Sequence, residues 1–503
     1  MRRLPAVLIA VASACLGLLA IGGAPQATPA SATSSGGWGN AHRVPGVAAL
    51  APRGFAYAVS LSCASQANCT IGGWYTTRTG NRNLSQAFSV RDVNGAWKLP
   101  QRIPGLVVPA ASFPTLSALS CAAQGNCVAA GDPGLGVARV VNQTRGVWGR
   151  ARQVPGLAAL SGSGALSTID ALSCSAAGWC VAAGNYWHPP NGFPHSRGSV
   201  TFVVIEHNGV WQKARLVPGM AALNHGWLAL ISSISCDRAG ACTGGGTYRD
   251  RSTHALRPFV VSQHRGVWTA AQAIAGVTAL PNASPAGESG IGAISCTSPG
   301  NCTAAGRYTD TAGNVLPFVV TEKNGVWGQA QSLPGTVPLD PKFNQAAITG
   351  MSCPAPGQCS AAGFYGSDLN AENVSVPFVA TQVNGKWGAA HQVPGLAALN
   401  LGNQGAITSV SCGTPGNCAA GGFYTGPGGS NFHSDVPGHA FLVTESGRVW
   451  SRAIPVPGLA ALGSRASGVS LVFCGRTNKC FAIGGYVART GFVKGHLFVV
   501  ARG

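Results

Sequence analysis

Two cysteines separated by five residues recur eight times between Cys63 and Cys480, and eight times a tryptophan is followed seven residues later by Pro-Gly or Ala-Gly. The first cysteines stand at 63, 121, 174, 236, 296, 353, 412 and 474, a period of 53 to 62 residues. Repeats of this length build solenoids, propellers or arrays, because one unit cannot bury its own apolar face. The pattern constrains architecture and leaves chemistry open.

Residues 291–335 show the unit most clearly. Ile291-Gly-Ala-Ile-Ser-Cys296 is a short apolar run with small residues between larger ones, suited to a strand packed on both faces. A Thr-Ser-Pro-Gly-Asn turn leads to Cys302 and a second small-residue strand ending near Tyr308. Pro317-Phe-Val-Val-Thr-Glu322 is rich in strand formers. Asn324-Gly325 then supplies a hairpin turn whose two residues accept positive φ. A fourth strand starts near Trp327 and ends at Pro334-Gly335, where an outer edge tolerates proline. No helical periodicity is visible. Four antiparallel strands per unit predict an all-β chain folded as an eight-bladed β-propeller. The first strand would line a central channel, and the tryptophans Trp38, Trp97, Trp148, Trp211, Trp268, Trp327, Trp387 and Trp450 would cover the seams between blades.

The two ends predict how the array closes. The chain opens with an orphan fourth strand, Trp38 to Gly46, and stops after a third strand, Leu497 to Gly503. The N-terminal strand is expected to complete the last blade and remove the open edges. Ahead of it, Arg2 and Arg3, an apolar run from Leu4 to about Gly22 and the small residues Ala30-Ser31-Ala32 predict a signal peptide over 1–32. An uncleaved anchor is the competing reading of that run. Residues 33–503 are then expected to form one secreted, monomeric domain that is extracellular or attached to the cell surface.

Removing the leader takes away Cys15 and leaves 16 of the 17 cysteines, an even number in an exported chain. Residues opposed across a hairpin lie within disulfide reach. The expected pairs are Cys63–Cys69, Cys121–Cys127, Cys174–Cys180, Cys236–Cys242, Cys296–Cys302, Cys353–Cys359, Cys412–Cys418 and Cys474–Cys480. Zinc is the competing use of regular cysteines, but it favours closer spacings with histidine partners. No metal and no cofactor are expected.

Charged residues make up 9% of the chain, and 33 Lys and Arg face 14 Asp and Glu. Without Arg2 and Arg3 the formal charge of +19 becomes +17. A basic surface favours anionic polymers such as phosphate-bearing wall polymers. The competing reading is edge protection: Arg43, Arg102, Arg150, Arg152, Lys213, Arg215 and Arg452 closely follow the repeat tryptophans. Nucleic-acid motifs are absent. So are the nucleophile elbow, the zinc-protease helix and the phosphate loop. The acidic residues look dispersed, although a pair assembled by the fold could still flank a glycosidic bond. Asp310-Thr-Ala-Gly-Asn314 resembles part of a calcium turn without its acidic density.

Recognition is expected where the repeat breaks. The one-to-two and three-to-four turns are nearly uniform and share one face, which is assigned to the scaffold. The other connections vary. The third unit carries Trp187, His188, Phe193, His195 and Arg197, and the seventh carries Phe432, His433, Asp435 and His439. Opposite each other in an eight-membered ring, they could form an aromatic, hydrogen-bonding rim for a glycan or peptide. Loops also cover themselves with their own aromatics, which is the competing reading. Arg249, Arg251 and Arg257 of the fourth unit could hold a carboxylate or phosphate. The second unit departs most: it lacks the tyrosine found at Tyr75, Tyr186, Tyr248, Tyr308, Tyr365, Tyr424 and Tyr486.

The segments Ser295 to Gly306, Pro317 to Gly328 and Val393 to Leu399 resemble the repeats of secreted, propeller-like Cys-x5-Cys proteins of actinobacteria. That resemblance covers nearly the whole chain after the leader. It implies export from a Gram-positive cell and brings no catalytic residue with it. The hairpins also resemble sialidase Asp-boxes, without the aspartate and serine of that box. The expected function is a non-enzymatic binding scaffold for a glycan, an anionic wall polymer or an extracellular protein. The alternative is a polysaccharide-acting hydrolase or lyase.

Overall fold

A serine precedes the first cysteine in seven of the eight units and Phe473 in the last, and there the chain forms the first strand of every unit. The structure is a computed structural model that describes residues 37–503 except 53, 66, 80–81, 109–114, 133–135, 163–164, 188–197, 337–343, 367–373, 428–437 and 489–494. The fifth unit runs Ser289–Ser298, Asn301–Thr309, Val315–Lys323, then the short strands Val326–Trp327 and Gln331–Ser332. Consecutive strands pair antiparallel, and both short pieces pair with the third strand. The fold is therefore all-β, with repeated antiparallel four-stranded sheets.

The fourth strand is broken, which the sequence did not reveal. In the break, Ala330 N donates to Ala275 O of the preceding unit at 2.9 Å. The same bond recurs from Ala151 to Pro104, Ala214 to Pro155, Ala271 to Pro218, Ala390 to Pro334 and Ala453 to Pro394. An amide released from its own ladder thus joins neighbouring units. Parallel bridges, Ser199 to Leu228 and Val315 to Gln345, also fuse the third with the fourth unit and the fifth with the sixth.

Helices were not expected, yet single turns follow the Pro-Gly steps. They span Val47–Leu50, Leu157–Ser161 and Met220–Leu223, with 3-10 turns at Val277–Ala279 and Leu396–Ala398. Each follows a glycine with φ between 70° and 83°. The positive φ swings the next apolar residue back onto the sheet. One turn is too short to show a 3.6-residue period.

All eight expected disulfides form, seven of them between cysteines in direct register and Cys353–Cys359 at a register shift, with Cα separations of 3.9 to 4.1 Å. These are closer than the roughly 4.5–5.5 Å typical of opposed strand residues. At this end the two turns of a unit also bond to each other, as in Gly325 N to Gly300 O (2.9 Å) and Gly146 N to Gly125 O (2.8 Å). Asn324 and Gly325 have φ of 50° and 82°, as the hairpin turn requires.

The repeated aromatics are spent on packing. The seven tyrosines are buried, and a fully buried phenylalanine packs in the same units: Phe88, Phe202, Phe259, Phe318, Phe378, Phe441 and Phe498. The tryptophans bridge seams. Nε1 of Trp148 donates to Ser89 Oγ (2.8 Å), that of Trp211 to Asn142 Oδ1 (2.8 Å) and that of Trp450 to Thr381 Oγ1 (3.2 Å), each in the preceding unit. A serine before the first cysteine accepts the next unit's cysteine amide: Ser62 from Cys121, Ser120 from Cys174, Ser173 from Cys236, Ser235 from Cys296, Ser295 from Cys353, Ser352 from Cys412 and Ser411 from Cys474.

The N-terminal strand His42–Arg43 pairs antiparallel with Gly495–Arg502, and Trp38 bridges Arg502. Ala41 N donates to Pro457 O at 2.8 Å, the inter-unit bond that a fourth strand makes elsewhere. Among the described residues, no helix is long and apolar enough to cross a membrane.

Candidate functional site

Strands one and two hold fixed residues near the disulfide and free choices near their other ends. Six residues before the first cysteine and five after the second, two positions face each other in register. They hold Tyr57 and Trp74 in the first unit, Thr168 and Asn185 in the third, Leu230 and Thr247 in the fourth, and Gly290 and Arg307 in the fifth. In the sixth and seventh they hold Ala347 with Phe364 and Ala406 with Phe423. In the second unit Asp132 takes the second of these positions. A scaffold position would repeat throughout; these repeat only between the sixth and seventh units.

Units one to three concentrate the chemistry. Tyr57 is 45% exposed, and its ring stacks on Trp74 at a centroid distance of 4.6 Å and on Phe55 at 6.1 Å. Consecutive first strands touch, since Ser60 Oγ donates to Leu119 O and Ser120 Oγ accepts from Cys174 N. The aromatic platform is thus followed by the second unit, whose missing Tyr–Phe pair now has a counterpart: Arg139 stands where the other seven units have phenylalanine. Arg139 Nε is buried without a hydrogen-bond partner among the described residues.

The third unit adds Asp170, at a bulge of its first strand. Thr168 Oγ1 and Asn185 Nδ2 donate to its Oδ2 at 2.9 and 2.6 Å. Burial raises the Asp170 carboxyl above its ordinary range, these two hydrogen bonds pull it down, and the Asp132 charge pushes it up again. The residue is nevertheless exposed to solvent, which tempers the effect of burial on its charge. Asn185 also clasps Ile231, accepting from its N at 3.1 Å and donating to its O. The fold therefore brings Asp132 and Asp170 close enough for their charges to interact and ties Asp170 to the Asn185 amide, while the aromatic stack lies in the first unit. A cleft at this end, of about 260 Å³, holds Thr247, Glu288, Gly290, Arg307 and Ala347.

Of the rim expected from the third and seventh units, Trp187 is half-buried at the end of its strand, and His439 is exposed with its ring 5.5 Å from Tyr424. His188, Phe193, His195, Arg197, Phe432, His433 and Asp435 lie outside the described residues. In the fourth unit, Arg257 donates to Gly287 O and Pro285 O, Arg249 to His254 O, and Arg251 is exposed. Asp250 accepts from Ser252 and Thr253 of its own turn, which holds its carboxyl well below the usual range. Asp310 likewise accepts from Ala312 N, Asn314 N and Asn314 Nδ2. That use of the carboxylate fits a self-contained turn.

No protein-family model matches the chain. A comparison with curated proteins finds no match either. Among solved structures, the polysaccharide lyase Uly1 aligns at 9% identity and a TM-score of 0.41, over 89% of this chain and 90% of that one. AofleA from Arthrobotrys oligospora aligns at 12% identity and a TM-score of 0.31, over 66% and 83%. The Aleuria aurantia lectin AAL, crystallised with Fucα1-6GlcNAc, aligns at 12% and 0.29, over 66% and 92%. At this level of likeness none of them bears on what this chain does.

The acidic residues are less dispersed than they look. Five residues before the tryptophan, and paired with it in register, the units carry Asp92, Gln143, Glu206, Gln263, Glu322, Gln382 and Glu445. All seven are buried. The signal was present in the spacing from tryptophan and went unread because acids alternate with amides. Burial raises Asp92 and Glu206 and pushes Glu322 up to about 7. Glu445 lies beside Cys412 and Cys418 in a group of metal-ligand type, but those sulfurs are bonded to each other and offer no thiolate. These buried acids lie at the turn end, so that end is more than a uniform scaffold.

Proposed function

We propose that this chain is an extracellular, monomeric glycan-binding scaffold, an eight-bladed propeller closed by its N-terminal strand. Its ligand docks across units one to three, at the end away from the disulfides. Closure is supported by the pairing of His42–Arg43 with the last unit. It is also supported by one apolar cluster that joins Val44, Ile483, Leu497 and Val499 to Ile71, Tyr75 and Phe88. Export, signal cleavage near residue 32 and an actinobacterial source are parts of the same reading; eight disulfides need an oxidising compartment.

The observation that carries the binding assignment is the exposed Tyr57 stacked on Trp74. A sugar presents an apolar ring face to such a platform and hydroxyls to Asp132, Arg139 and Asp170. A glycan array tests it, with wall polymer and extracellular protein as further probes. Saturable glycan binding that weakens about tenfold in Tyr57→Ala, with an unchanged melting temperature, supports it. Capture of wall polymer or protein alone, or no binding, rejects it.

A second reading rests on Asp170. A carboxyl raised by burial next to Asp132 has the character of a general acid beside a carboxylate. Release of reducing ends or unsaturated products, lost in Asp170→Asn, would make the chain a polysaccharide-acting enzyme.

A further inference from the structure

We propose a second binding site, at the turn end of the seam between units two and three, that takes a neutral polyhydroxyl ligand the size of one sugar residue. It lies at the opposite end of the sheets from Tyr57 and does not depend on the platform there. The pocket measures about 390 Å³, far more than the roughly 30 Å³ that one water occupies in the liquid.

Its wall contains two buried acceptors in need of hydrogens. Glu206 is 3% exposed; its Oε1 accepts from Asn142 Nδ2 at 2.7 Å, and its Oε2 has no partner among the described residues. Gln143 is 2% exposed; its Nε2 donates to Gly146 O at 3.3 Å, and its Oε1 is unpartnered. Buried acceptors in this state are rare and costly.

The seam between units six and seven shows how the chain fills such a site with its own atoms. Glu445 stands in the register position of Glu206 and accepts from Ser360 Oγ at 2.8 Å and Thr381 Oγ1 at 2.7 Å. The corresponding residues of unit two are Val128 and Asn142. Asn142 replaces one donor; Val128 has no hydroxyl and lines the pocket instead. A hydroxyl is missing beside the pocket, at the one carboxylate oxygen that Asn142 leaves unpartnered.

The surroundings select among donors. Arg145 sits in the adjacent turn and the Arg91 guanidinium packs against Gly146, in a chain of net charge +19, so an ammonium ligand is repelled. Glu206 repels an anion. Val128, Ala177 and the disulfide sulfurs of Cys127 and Cys180 offer an apolar floor to ring C–H groups, while Asn126 and Asn208 offer amides at the rim.

Titration calorimetry on the disulfide-intact chain with D-glucose, D-galactose, D-mannose, L-fucose and N-acetylglucosamine tests the site. At least one sugar is expected to saturate the protein. Val128→Ser supplies the hydroxyl that Ser360 gives Glu445, and should weaken that binding at least tenfold with the melting temperature held or raised. Glu206→Gln, which places there the residue three other units carry, should weaken it as well, and both losses should persist in a Tyr57→Ala background that lacks the platform. The proposal is overturned if none of the five sugars saturates the wild type, or if both seam variants bind like it. Loss of binding in Tyr57→Ala with none in Val128→Ser assigns the sugar to the other end and overturns it too.

Discussion

The contact between units four and five and the contact between units eight and one come from the same repeat, yet they are held differently. At the first, Ser235 Oγ accepts from Cys296 N at 3.0 Å and Ala330 N donates to Ala275 O at 2.9 Å. At the second, the residue in the serine position is Phe473, which has no hydroxyl, and the residue in the alanine position is Pro100, which has no amide hydrogen. There an apolar cluster, of the kind that also spans the first contact, does the joining without those bonds, with Ile483, Leu497 and Val499 against Ile71, Tyr75 and Phe88. Directional bonds set the register of neighbours that follow one another along the chain. Apolar burial asks for no register, and it joins the first and last units here.

Removing the N-terminal strand should break that comparison outright. Deleting residues 36–46 takes Trp38 and Val44, both buried, out of the last sheet and its seam, and leaves Gly495–Arg502 as an open edge. The expected result is unfolding or aggregation; a truncated chain that melts at the parent temperature would refute closure.

A smaller effect should appear in the pH dependence of an interior unit. Glu322 is 3% exposed and its carboxyl is pushed from 4.5 up to about 7 by burial. The unfolded chain loses this proton first, so stability is greatest below about 4.5 and falls as pH rises towards about 7. The loss should reach about 2–3 kcal/mol and disappear in Glu322→Gln, as read from denaturant midpoints across that window. The eighth unit carries Arg502 at this register position and has no such acid to titrate.

The disulfides should not distinguish the two contacts. Replacing Cys296 and Cys302, or Cys474 and Cys480, by alanine opens an equally short loop and should cost about 2 kcal/mol in either unit. Unequal losses in chemical denaturation would show that the terminal unit depends more on its crosslink.

The seam bonds give the finest test. Ser235→Ala should lower stability by about 1 kcal/mol. Pro100→Ala restores an amide worth about 1 kcal/mol, offset by roughly 0.5 kcal/mol of extra freedom in the unfolded chain, for a net gain near 0.5 kcal/mol. A loss instead of a gain in the second would mean that the terminal contact is shaped around the proline.

Much of the molecule was legible because its information is local. The spacing of Cys296 and Cys302 sets a hairpin, Asn324-Gly325 sets the next, and the orphan strand at Trp38 announces its partner at Leu497. The site was harder to read. Attention to loops led to Trp187 and His439 and passed over Trp74, Arg139 and Asp170, which sit within strands. Their signal was a position that varies inside a regular element, and it appears only when the units are laid in register.

The amino-acid order by itself determined the strands, the turns and the disulfide partners, since each depends on residues a few places apart. Whether a buried acid is satisfied was decided by the tertiary structure. Glu445 and Glu206 occupy one position of one repeat, but Ser360, 85 residues from Glu445, completes the first, while Val128 leaves the second open. Packing brings those neighbours together across a seam, and a hydroxyl or a methyl at that point decides whether the second carboxylate oxygen finds a donor.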